Sequence, residues 1–99
     1  MKYYIGFDPG GATDPAPITI NERIITRPQN HRQEPIVSYE TVWIEPLVGW
    51  KYPDMYDRLE TLYEEPRLKY QSTIVVDMTG VGRAVVHELE RRNLPVVGI

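Results

Sequence analysis

One construction occurs twice in this chain and constrains its fold more than any other feature: a short apolar run that stops at an aspartate followed by glycines. Lys2 to Gly11 reads KYYIGFDPGG, and Thr73 to Asp77 reads TIVVD before Thr79-Gly80-Val81-Gly82. Taken as a strand, the first run places Tyr3, Ile5 and Phe7 on one face and Tyr4, Gly6 and Asp8 on the other. Each aspartate then stands where its strand stops. A carboxylate at the mouth of a buried strand is expected to be poorly solvated and to need a cation or backbone N–H donors. Parallel neighbouring strands would set Asp8 and Asp77 about 5 Å apart, facing one another.

The intervening chain has the signals to bring those strands together. Pro9–Pro15 is rich in turn formers and should reverse the chain. Pro17–Thr26 reads as a second strand, with Asn21-Glu22 as a bulge or tight turn, and Arg27–Glu34 as a polar loop. Pro35–Glu45 is a third strand: Val37, Tyr39, Thr41 and Trp43 alternate with Ile36, Ser38, Glu40, Val42 and Ile44. After a connector over Pro46–Tyr52, Pro53 and Asp54 open a helix whose apolar residues Met55, Leu59, Leu62 and Tyr63 recur at helical spacing until Glu65, where Pro66 stops it. The strand ending at Asp77 leads to a second helix, Arg83–Arg92, with Val85, Val86 and Leu89 on its buried stripe. Asn93 suits a left-handed cap, and Leu94–Ile99 is a last short strand. The order β-β-β-α-β-α-β, with a right-handed final crossover, predicts an α/β fold with a mixed five-stranded sheet ordered 3-2-1-4-5.

Composition narrows the chemistry. A chain of 99 residues forms one domain with one modest core. The net charge of −3 and pI near 5.3 give no bulk attraction for nucleic acid, so such contact needs a local cluster of cations. Arg23, Arg27, His31 and Arg32 gather around the second hairpin, and Lys51 and Arg83 approach the strand ends. The absence of cysteine removes disulfides, thiol catalysis and thiolate ligands, which leaves carboxylate or imidazole for any metal. No run nears the roughly 20 apolar residues of a membrane span, and the start does not read as a signal peptide; a cytoplasmic setting is the expectation, with no membrane partner.

Two carboxylates about 4 Å apart repel by roughly 4 kcal/mol at an effective dielectric near 20, so they share a proton or hold a divalent cation. Neutral pH favours the cation, and oxygen-only ligands suit Mg²⁺ or Mn²⁺. Such an ion activates water and stabilises a displaced phosphate oxygen. The plainer reading is that each aspartate caps a turn. Gly80 and Gly82 allow close approach to a helix N-terminus that can take a phosphate, or simply a tight strand-to-helix turn. The half-match to a dinucleotide loop fails at Val85, which stands in place of its third glycine. Thr79 is a phosphate contact or an N-cap, and Arg83 a phosphate or DNA contact. His87 reads as exposed, Trp43 and Trp50 as packing residues.

With these residues in place, Ile5-Gly-Phe-Asp-Pro-Gly-Gly-Ala-Thr-Asp-Pro-Ala and Ile74-Val-Val-Asp-Met-Thr-Gly-Val-Gly-Arg-Ala-Val-Val together resemble the nuclease domain of tailed-phage terminase large subunits, of ribonuclease H-like fold. The resemblance implies a metal-dependent endonuclease that cuts double-stranded phage DNA during packaging in a bacterial host. It implies Asp8 and Asp77 as catalytic metal ligands, Mg²⁺ or Mn²⁺ as cofactor, and other terminase subunits and the portal as partners of a parent protein. Asp14 matches only the family's second Asp-Pro and takes no role. The family uses a third acidic ligand beyond the fifth strand, so residues 1–99 are expected to be a fragment, the core of the nuclease domain; the chain also lacks the Gly-x-x-x-x-Gly-Lys-Ser/Thr loop of an ATPase motor. Asp8-Pro-Gly-Gly-Ala-Thr is similar, too, to the first phosphate loop of actin-like ATPases and sugar kinases, which would make the chain an ATP-binding half domain. A non-catalytic interaction module of the same fold is the third reading.

Overall fold

Alternating apolar residues build the sheet. The computed structural model describes residues 1–10, 16–30 and 32–99. Its strands are β1 (Tyr3–Phe7), β2 (Ala16–Thr26), β3 (Ile36–Leu47), β4 (Ser72–Val76) and β5 (Val96–Gly98), and its helices are α1 (Tyr52–Tyr63) and α2 (Gly82–Arg91). The sheet order is β3-β2-β1-β4-β5, with β1 parallel to β4, β4 parallel to β5 and the remaining pairs antiparallel. The α/β class, the element order and the strand order are those expected. The turn expected over Pro9–Pro15 lies mostly outside the described residues, as do Asp14 and His31.

One face of the sheet carries the core. Tyr3, Ile5 and Phe7 of β1, Ala16, Ile18 and Ile20 of β2, and Ile74 and Val76 of β4 are buried with Met55, Leu59, Leu62 and Tyr63 of α1 and Val85, Val86 and Leu89 of α2 in a single cluster. Both helices therefore lie on the same side. Ser72 is the buried polar residue of this layer, and its hydroxyl donates to the Leu68 carbonyl at 2.8 Å. Arg58 clamps α1 to β3 by donating twice to Glu45, each bond 2.7 Å. Arg92 ties the helices together, donating to Asp57 of α1 at 2.7 Å and to Glu88 of α2 at 3.2 Å.

Helix ends follow local chemistry. Pro53 falls in the first turn of α1 with Asp54 beside it, a position where the missing N–H costs nothing. The helix closes at Tyr63, two residues before the expected end. Asn93 ends α2 at φ 61°. Its N–H donates to Glu90 O and that of Leu94 to Leu89 O, the Schellman pairing, and Leu89 and Leu94 are both buried. Thr79 does not cap α2: Val81 holds that place, without a side-chain cap.

β3 departs most from expectation. It runs through Pro46 to Leu47, which an outermost strand tolerates because its outward positions need no N–H donor. The register shift falls between Ile20 and Asn21, beside the expected bulge, and the extra residue is Val42 of β3, since Ile20 pairs with Trp43 and Asn21 with Thr41. Trp43 and Trp50, expected to pack, are 49% and 42% exposed. The β2–β3 ribbon extends beyond β1, whose first paired residue, Tyr3, lies opposite Glu22, and the molecule measures 50 × 26 × 20 Å. Among the described residues no helix is long and apolar enough to cross a membrane.

Candidate functional site

Backbone pairing places the two aspartates. In the β1–β4 ladder Phe7 pairs with Val76, and the Asp77 N–H continues it by donating to Phe7 O at 3.3 Å. On the other side the Asp8 N–H donates to Pro17 O at 3.4 Å. Asp8 and Asp77 thus occupy the next matched positions past two adjacent parallel strands. Alternation turns both toward the sheet face opposite the helices, together with Tyr4, Gly6, Thr73 and Val75. They line one shallow cavity of about 240 Å³ with Gly6, Pro17, Thr19, Val75 and Ile99.

Each carboxylate is also tied into its own turn. Asp8 Oδ1 accepts from the Gly10 N–H at 3.0 Å, and Asp77 Oδ1 from the Thr79 N–H at 2.9 Å. These are Asx turns, and each leaves the second carboxylate oxygen outside the bond. The bond from the Thr79 backbone, joined by the Thr79 side chain, holds the Asp77 carboxyl below the ordinary carboxylate range. Asp77 is therefore an anion at neutral pH. Asp8 is exposed, which corrects the expectation of a poorly solvated carboxylate: the strand end opens to solvent because no helix covers that face.

The glycine loop serves the same turn. Gly82 is buried at the start of α2, where a Cβ would lie 1.8 Å from the Asp77 carbonyl oxygen. Its N–H donates to Thr79 O at 3.3 Å. Gly80, at φ 63° with open space around it, makes the left-handed step in between. Arg83 is exposed on the first turn of α2 and makes no ion pair among the described residues. Thr79, Gly80 and Gly82 are thus bound to Asp77 by the chain itself.

Two of the expected cations, Arg27 and Arg32, stand far from the site. β2 runs antiparallel to β1, so Arg27 and Arg32 stand at the far tip of the ribbon, on the order of 27 Å along β2 from Ile18. His87 is exposed on α2, as expected. Donor chemistry fits a hard divalent cation: two matched carboxylates, one held ionised, on an open surface with room for water. The set stops at two, for no group of three His, Cys, Asp or Glu gathers among the described residues.

Gly6, Pro17, Thr19 and Ile99 were not singled out from the sequence, although they form the walls. Thr19 and Asn21 are the polar half of the alternation with Ile18 and Ile20 in β2 and were the available signal; Asn21 donates to Thr19 Oγ1 and accepts from Thr41 Oγ1 on this face. Comparison with family models, with curated proteins and with solved structures finds no match to this chain.

Proposed function

We propose that the chain is the core of a metal-dependent DNA endonuclease, of ribonuclease H-like fold and of the kind carried by phage terminase large subunits. The observation that carries this reading is the matched placement of Asp8 and Asp77 past adjacent parallel strands, on one open face and in one cavity. In this reading Asp8 and Asp77 would hold Mg²⁺ or Mn²⁺. The cation, when bound, supplies activation of water and stabilisation of the displaced phosphate oxygen. Thr79 keeps the Asp77 carboxyl ionised by donating to it, and the open sheet face admits a duplex backbone to the strand ends. Arg83 and the Gly80 turn orient phosphate at the start of α2. Among the described residues no element is built to read base edges, so cleavage would be sequence-tolerant.

Calorimetric titration with Mn²⁺ tests the site. Asp8→Asn and Asp77→Asn each retain an oxygen able to accept the turn hydrogen bond, so both variants should fold while metal affinity falls at least about tenfold. Unchanged affinity in both, or no binding by the parent chain, removes the reading.

A second reading rests on the Asx turns themselves. Both aspartates already have a structural task, and a non-catalytic interaction module would need nothing more. That reading expects no Mn²⁺ heat at all.

A further inference from the structure

β3 is the outermost strand of the sheet and, among the described residues, has no neighbour on its outward side. Natural edges are guarded by charged residues, Pro, bulges, short length or a covering element. From Ile36 to Ile44, between Pro35 and Pro46, this edge has no Lys, Arg or Pro, and its guards there are Glu40 and the bulge at Val42. Ile36, Val37, Tyr39, Val42, Trp43 and Ile44 are each between 45% and 67% exposed. By alternation Val37, Tyr39 and Ile44 lie on the open face and Ile36 and Trp43 on the helix face, so exposed apolar side chains flank the edge on both sides.

We propose that this edge pairs with the same edge of a second copy, antiparallel and about a two-fold axis at Tyr39. Self-complementarity favours a copy over a foreign strand. A two-fold normal to the sheet pairs residues of like face, setting Tyr39 against Tyr39, Val37 against Thr41 and Ser38 against Glu40, with no like charges directly opposed. Glu45, the strand's other acid, is already neutralised by Arg58. Tyr39 is held ready on the open face by an edge-on contact with Tyr4, ring centroids 5.9 Å apart. Pairing of this kind joins two five-stranded sheets into one of ten, with the helices of both copies on one side and the two aspartate pairs on the other.

Sedimentation equilibrium of the full chain should show a dimer at micromolar concentration. Tyr39→Lys should shift it to monomer with an unchanged far-ultraviolet dichroism spectrum, and Ile36→Lys should do the same should Tyr39→Lys fold poorly. The chain has no cysteine, so Tyr39→Cys introduces a single thiol at the axis. Directly opposed residues have Cα atoms about 4.5–5.5 Å apart, within disulfide reach, so mild oxidation should cross-link this variant nearly completely and leave Val48→Cys uncrosslinked. A parent chain that stays monomeric overturns the proposal and leaves the edge to a foreign strand. A dimer that survives both lysine variants, or that cross-links equally through either cysteine, overturns it as well.

Discussion

Gly82 and Gly80 look alike in the sequence and differ in what they do. A methyl group on Gly82 would meet the Asp77 carbonyl oxygen at 1.8 Å and Val76 Cγ1 at 3.8 Å. Backbone cannot yield as a flexible side chain does, so α2 must move away from β4. Gly82→Ala should therefore cost about 3 kcal/mol or more. Gly80 has open space and only a left-handed backbone to protect, so Gly80→Ala should cost about 1–2 kcal/mol. Urea unfolding of the two variants checks the order, and equal losses would contradict it. The same contrast bears on the aspartates: both close an Asx turn, but Asp77 is half-buried beside the turn that Gly82 closes, whereas Asp8 is exposed.

At the scale of elements, the last turn of α2 is held by its own ion pairs. Glu88 accepts two bonds from Arg91, at 2.9 and 2.8 Å, and one from Arg92 at 3.2 Å. Those guanidinium groups lower its carboxyl from the ordinary 4.5 to about 2. A depressed carboxyl stabilises the fold fully above its unfolded value and loses that contribution as pH falls through its folded one. The Tm difference between the parent chain and Glu88→Gln should therefore be constant above about pH 4.5, shrink below it and vanish near pH 2; a difference independent of pH would refute this. Elements of this kind were legible in advance because local chemistry decides them: the period of Val85, Val86 and Leu89, the left-handed step at Asn93, the terminal aspartates of β1 and β4. The exposure of β3 was not. Alternation of Val37, Tyr39, Thr41 and Trp43 reads the same on an edge strand as on a half-buried one, and where the helices land is decided by the whole chain. Thr79 misled for a related reason, since its N–H closes the Asp77 turn before α2 begins.

The whole molecule is a sheet clad on one face, with a ribbon that outruns its support. Up to Arg23, whose N–H donates to Lys2 O at 2.8 Å, β2 is flanked by β1. Beyond that point Ile24–Thr26 and Ile36–Ser38 pair only with each other, and an isolated two-stranded ladder is marginal in water. β1 and β4, by contrast, hold Ile5, Ile74 and Val76 fully buried at the centre of the core. Opening of the outer ribbon should cost little, while opening at Ile5 or Ile74 should require global unfolding, of order 5–15 kcal/mol for a domain. Hydrogen exchange read by mass spectrometry, at a dilution where the chain is monomeric, should then show peptides over 24–26 and 36–38 exchanging orders of magnitude faster than those over β1 and β4. Raising the concentration should slow exchange over 36–41, which the paired edge covers, and leave β1 unchanged. Uniform protection at dilution would mean that the ribbon draws support from contacts this fold does not contain, and an absence of any concentration effect over 36–41 would count against the paired edge.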